Sequence, residues 1–349
     1  MSHELSFING IAEFAYLQKD GPAWHGFGQP VPDEHAGSID YWLAASNMGN
    51  WNINSAVALF FDEGSEEVMS FDSRKILYRD DTRQPLADVG AYYQVVQPRD
   101  VVEFFRDICQ TMGFEMATCG VLYGGKRFWA QANIGQSISL LGQDRVDGKL
   151  LLSTSCDGSL ATQAQYTTER VVCRNTLRAA LGVAKDFVRV THATTFNPES
   201  IKEALELKPQ AMLEWQLQAE TLCRYQIDHK QAGEFFDLVF NGPVKANQII
   251  PEDALATAEQ LLALNGASEE TRGNSQAIDT CLTLFNGAGM GMNLDSAKGT
   301  LWGAVNAITE WSDHHRACKT LDARINHAWF GNSAQVKDRA WEEAILLAA

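Results

Sequence analysis

The sequence predicts an α+β fold: an antiparallel β-hairpin and three-strand sheet with flanking helices, a β-β-β-α core over about residues 95–182, followed by an all-α C-terminal region. Three observations carry this. Residues 98–113 place apolar side chains at helical spacing between Pro98 and Gly113, a favoured first position and a favoured C-terminal cap. Residues 114–134 and 148–156 hold runs of aromatic and branched residues, broken once by the Gly124-Gly125 pair that a tight hairpin turn needs. From Pro198 onward nearly every segment has helical periodicity. The predicted division is an α+β domain over 1–195 and a helical domain over 196–349.

Taken in order, residues 1–90 read as an irregular lead-in followed by strands. "PAWHGFGQPVP" is a loop anchored by Trp24 and Phe27, and His25 has no second His or Cys at metal spacing, so it reads as structural. "WNINSAVALFF" alternates, which predicts a strand with Trp51, Ile53, Val57, Leu59 and Phe61 on one face. The acidic "DEGSEEVMSFD" joins it to a second strand, "SRKILYRD", whose Arg74, Lys75 and Arg79 stand beside Asp80 and Asp81 as a solvated surface. Tyr92, Tyr93, Val95 and Val96 lead into the core. There, Val101, Phe104, Phe105, Ile108 and Met112 form the buried face of a helix, the hairpin follows, and "GKLLLSTSC" is the third strand.

"TTERVVCRNTLRAALG" then reads as a helix, with a Thr near its start, Glu169 in its first turn and Gly182 past its end. Val171, Cys173, Leu177, Ala180 and Leu181 turn toward a core, while Arg170, Arg174 and Arg178 repeat every four residues as a stripe. A row of guanidinium forks suits phosphates, although most charge rows are solvent faces or paired with carboxylates. Lys126 and Arg127 stand beside Phe128 and Trp129 at the hairpin tip. Cations interleaved with rings are what a sheet needs to hold a single nucleic-acid strand, though one ring of an alternating pair faces the core. Lys149 on the third strand extends the basic surface.

The formal net charge of −16 opposes nucleic acid, but its distribution does not. Residues 121–185 carry eight Lys and Arg against four acids, while residues 196–349 carry 12 against 21. A basic island in an acidic chain acts locally, because salt screens charges over roughly 8–10 Å. The acidic helical half suits packing, oligomer contacts or partner binding.

Enzyme chemistry finds little support. The seven cysteines are scattered and never form a C-x-x-C pair, so they read as buried thiols, not as a zinc or disulfide framework. "NGAGMGMN" at 286–293 lacks the spacing of a dinucleotide fingerprint, and no Walker-type loop occurs. Adjacent His314 and His315 diverge by about 100° on a helix, so with Asp313 they make a poor metal start. The expectation is no catalytic residue, no metal and no cofactor. No apolar run of about 18 residues predicts a membrane span, and no secretion signal opens the chain, which predicts a cytoplasmic protein.

The segments "WHGFG" at 24–28, "YYQVVQPRDVVEFF" at 92–105, "GVLYGGKRFWAQANI" at 120–134, "ERVVCRNTLRAAL" at 169–181 and "GTLWGAVNAITEWSDHHR" at 299–316 resemble a phage- and plasmid-related family of unknown function. That family is found in prophages, conjugative plasmids and phage genomes. The predicted core order is also similar to that of single-strand annealing proteins of the RecT and Red-beta type, an analogy of topology. It implies a ring- or filament-forming homo-oligomer, built through the acidic helical half, that holds single-stranded DNA by its backbone. Arg170, Arg174 and Arg178 would grip phosphates, with Lys126, Arg127 and Trp129 lining the groove. The competing reading is an acidic protein-interaction module that binds or inhibits a host protein.

Overall fold

Two long neighbouring strands, 127–140 and 144–155, alternate small or branched apolar residues with polar ones, and this period of two sets the architecture. The computed structural model of the chain describes residues 7–8, 11–22, 27–157, 159–172, 175–178, 187–190, 211–242 and 268–349. It confirms a mixed α+β fold with an all-helical C-terminal region. Among the described residues the strands are β1 (Phe7–Ile8), β2 (Ile11–Ala12), β3 (Phe14–Leu17), β4 (Gln29–Val31), β5 (Ile53–Asp62), β6 (Glu67–Arg79) and β7 (Pro85–Gly90). They continue with β8 (Glu115–Leu122), β9 (Arg127–Leu140), β10 (Asp144–Ser155), β11 (Thr162–Arg170), β12 (Asn175–Arg178) and β13 (Phe187–Val190). The large sheet runs β12-β11-β10-β9-β8-β3-β4, with β13 also on β11, and only the β3–β4 pairing in it is parallel. A second, antiparallel sheet runs β5-β6-β7.

The helix of 98–112 forms as the spacing predicts, here α2 after α1 (Ile39–Ala45). Pro98 opens it, the Asp100 carboxylate accepts from the Gln97 N–H at 3.1 Å, and Gly113 closes it at φ 72°. Its Val101, Phe104, Phe105 and Ile108 are buried. The Gly124-Gly125 turn also forms, with φ of 68° and 104°. At Gly125 a Cβ would stand 2.7 Å from the Trp51 ring, so only glycine fits.

One expectation is corrected. The helix over 167–182 is absent where the chain is described: residues 162–170 continue as β11 and 175–178 return as β12. Side chains four apart share a face in a strand as well as in a helix, so the arginine spacing did not discriminate. "TQAQYTTER" alternates Gln163, Gln165 and Thr167 against Ala164 and Tyr166, a strand pattern whose outer face is polar. Strand β5 forms as the alternation predicts. Trp51 and Ile53 are buried, but Val57, Leu59 and Phe61 are 60%, 64% and 59% exposed, because "DEGSEEVMSFD" supplies β6 and the hairpin extends past the body.

The C-terminal helices are α3 (Ala211–Arg224), α4 (His229–Asn241), α5 (Ser268–Thr283), α6 (Leu301–Glu310), α7 (Leu321–Phe330) and α8 (Asn332–Ala348). The segment 251–266, expected to be helical, lies outside the described residues. α6 is buried along its whole length and starts after Thr300, whose hydroxyl caps the Gly303 N–H at 3.0 Å. One apolar cluster joins Leu150, Leu152 and Tyr166 of the sheet to Trp215, Trp302 and Trp341 of the helices. Helices α3, α6 and α8 thus pack on the same sheet face as α2, while α7 meets the opposite face at Trp129.

Candidate functional site

Arg170, the first of the expected stripe, is turned inward and paired. Arg170 is 3% exposed and its guanidinium grips Asp144, with Nε at 2.8 and 2.9 Å from the two carboxylate oxygens and Nη2 at 2.8 Å. Asp144 also accepts from Ser296 Oγ at 2.7 Å and Trp302 Nε1 at 3.0 Å, while Arg170 donates to the Met290 and Gly291 carbonyls at 3.3 and 3.1 Å. This is a satisfied internal ion pair that ties β11 to the turn before α6. It also gives the glycine-rich 286–293 segment a job. Gly291 sits at φ 69°, and a Cβ there would stand 2.7 Å from Val172. Arg174 lies outside the described residues, as do Trp24 and His25. Arg178 occupies the register position opposite Thr167.

The remaining residues expected to touch nucleic acid fall on the other face of the sheet. In β9, Trp129 and Arg127 stand on the face opposite the core residues Phe128 and Ala130. Trp129 is buried against Phe14, at 5.3 Å, and Trp329 of α7, at 4.6 Å, so its ring face is not open for a base. Arg127 donates to Ser159 Oγ at 3.1 and 3.3 Å and to Asn326 Oδ1. Burial pushes the nearby Asp157 carboxyl up, but hydrogen bonds from Ser159 and the Arg127 charge more than offset it and hold it below the usual carboxylate range. Lys126 is half-buried at the turn. Lys149 lies on this face in β10, buried, with Nζ 2.6 Å from Asn133 Oδ1 and 3.6 Å from Glu169.

Around Lys149 the face is polar where a sheet interior is ordinarily apolar. Strand register places Thr118 of β8, Gln131 of β9, Ser153 of β10 and Gln165 and Thr167 of β11 together on it. Gln131, Ser153, Gln165 and Thr167 are more than nine-tenths buried. Gln131 Nε2, Gln165 Nε2 and the hydroxyls of Thr118, Ser153 and Thr167 have no hydrogen-bond partner, nor does Trp129 Nε1 at the edge of the set. An unmet buried donor costs about 1–3 kcal/mol, so a cluster of them calls for an explanation. With strands about 4.8 Å apart, the row from β8 to β11 spans roughly 14 Å. Every member is able to donate, and cationic Lys149 and Arg127 stand within it and at its end. The donors call for acceptor oxygens; they are covered in the free chain, and the Glu169 carboxylate shares the face beside Lys149. The sequence signal for it was present in the alternating Gln and Thr of β9 and β11, which a helix reading of 167–182 concealed.

The sequence matches the family described as a domain of unknown function (DUF932) over residues 85–329. The chain belongs to that family. The match includes the polar row, the Arg170–Asp144 pair and α3 to α6, and it runs nearly to the end of α7. No curated protein and no solved structure matches the chain.

The other residues weighed for chemistry have structural settings. Asp313 is buried with Lys337 Nζ at 2.7 Å, the His314 carbonyl accepts from Arg324, and His315 Nε2 lies 3.6 Å from Glu310. Among the described residues no group of three His, Cys, Asp or Glu is arranged to hold a metal ion. Burial pushes the Cys109, Cys119, Cys156 and Cys223 thiols up to about 12, so they are protonated at neutral pH. No helix among the described residues is long and apolar enough to cross a membrane.

Proposed function

We propose that this chain is a DNA-metabolism protein of phages or plasmids that binds single-stranded DNA in the host cytoplasm and promotes strand annealing without nucleotide hydrolysis. The observation that carries this reading is the row of unpartnered donors on the face of the large sheet opposite the main core, with Lys149 and Arg127 beside it; the row is covered in the free chain, so the reading requires the strand to displace what covers it. Phosphodiester oxygens are acceptors only, and they meet that need without any readout of base identity. Hydrogen bonds made in such a recessed place are stronger than in water, which lets neutral amides and hydroxyls do much of what the arginine stripe was expected to do. Backbone contact leaves base edges free to pair with a second strand.

The test is a mobility-shift titration with single- and double-stranded DNA at two salt concentrations. The Gln131→Leu, Gln165→Leu, Thr167→Val triple variant should bind single strands about a hundredfold more weakly, from roughly 1 kcal/mol per lost bond. Lys149→Ala should flatten the salt dependence by about one counterion. Equal binding by the wild type and the triple variant sinks the reading. Arg170→Ala is no test, since it removes an internal pair.

The second reading is an acidic module that binds a host protein. The exposed Leu213 and Leu217 of α3, in a helical half with 12 Lys and Arg against 21 acids, support it. It expects no DNA retention at moderate salt and a stoichiometric host protein on pull-down.

A further inference from the structure

The distal half of the β5–β6 hairpin has its apolar side chains in water. Val57, Leu59, Phe60, Phe61, Val68, Met69 and Phe71 are each between 46% and 65% exposed, and they occupy both faces of a two-stranded ribbon. An isolated ribbon of this kind is marginally stable in water, and contiguous exposed apolar surface of this extent marks a contact site. The register gives its geometry. Between Val57↔Lys75 and Leu59↔Ser70, β5 contributes one residue and β6 contributes Phe71, Asp72, Ser73 and Arg74, an irregularity of the kind that bends a strand away from its sheet.

β5 lies at the edge of its sheet, with β6 on one side and no strand on the other among the described residues. Its sequence, INSAVALFFD, contains none of the Lys, Arg or Pro with which proteins guard such an edge. We propose that this edge is where a second copy of the same chain docks, β5 pairing antiparallel with β5 of its partner across a twofold axis near Ala58.

Three features select a second copy over another occupant. The segment Val57-Ala58-Leu59 is nearly symmetric about its centre, so antiparallel pairing sets Val57 of one chain beside Leu59 of the other on one face, with Ala58 meeting its own copy. Charge agrees. The hairpin tip carries Asp62, Glu63, Glu66 and Glu67 with no cation, while the stem offers Lys75 and Arg83 beside Asp80, its Arg74 being paired with Asp88 and its Arg79 buried between Glu13 and Asp81. Antiparallel pairing moves each acidic tip away from the other and toward Lys75 and Arg83 on the stem of its partner. The acidic tip also repels phosphates, so the arm and the polar row do not compete for DNA. The proposal stands apart from the DNA reading, and it moves the assembly contact from the helical half to the N-terminal arm.

The experiment is the solution mass of the full chain by light scattering after gel filtration. The wild type should have twice the 38.6 kDa of one chain. Leu59→Lys with Phe61→Lys places charges on side chains that face water in the single chain, so the fold and melting temperature should hold while the mass halves. Leu213→Lys with Leu217→Lys, on the exposed face of α3, should leave it doubled. A wild type of single-chain mass, or a β5 variant of undiminished mass, overturns the proposal. If the β5 variant melts early, Glu63→Lys with Glu67→Lys serves in its place: these tip positions have no packing role, and loss of the tip-to-stem attraction should raise the dimer dissociation constant about tenfold. No change in that constant also overturns the proposal.

Discussion

Asp144 and Gln165 lie on opposite faces of the large sheet, both out of water, and their surroundings differ in kind. Asp144 faces the helices and receives Arg170, Ser296 and Trp302, so its charge is neutralised and its oxygens are occupied. Gln165, two strands' width from Gln131, leaves its amide N–H groups with nothing to bond. One face has used its polar groups to join sheet to helices. The other holds them in reserve, at a standing cost in stability, which is the usual mark of a place shaped for something outside the chain.

The largest expected effect comes from breaking the satisfied side. Arg170→Met leaves Asp144 as a buried charge without its cation and should cost about 3–5 kcal/mol in urea unfolding. A loss below 1 kcal/mol would mean the pair is weaker than its geometry. The intermediate effect has the opposite sign. Thr167→Val with Ser153→Ala replaces two idle hydroxyls by apolar groups and should stabilise the chain by about 1 kcal/mol or more while weakening single-strand binding. Destabilisation would show that these hydroxyls are already bonded, and the contrast between faces would fail. The smallest is a pH effect on neither face. Burial, with the Arg316 charge second, holds the His327 imidazole below its usual 6.5, so the unfolded chain takes up the proton first. Stability should be intact above pH 6.5, decline as pH falls below it, and stop declining once the folded-state pKa is passed. His327→Gln should flatten that part of a melting-temperature profile.

Much of this architecture was legible in the residues. Pro98, Gly113 and the apolar spacing between them specified α2, and Gly124-Gly125 specified the hairpin turn, because caps and positive-φ turns depend on local backbone chemistry. Helix α4 runs from His229 to Asn241, the segment read as one helix from sequence. Helix α7 was missed although Thr320 caps it and Ile325, Ala328 and Trp329 recur at helical spacing. Partners distant in sequence were not legible. Nothing local to Arg170 says that Asp144 waits for it, and nothing in "SAVALFF" says that the strand leaves the body before its apolar side chains are covered. The candidate site was legible in part: Lys149 and Arg127 do border it, but its amides and hydroxyls carry no charge and drew no notice.

The carboxylate of Asp144 has a further meaning for inheritance. It takes one partner from the β-rich half of the chain and two from the helical half, on either side of the change in composition near residue 195. A gene fragment ending at that change would encode an acid stripped of most of its neighbours, and the complementary fragment would encode a serine and an indole with nothing to hold. Recombining the halves between genes would therefore be penalised at a single side chain, and the family match, which runs unbroken from 85 to 329, crosses that point.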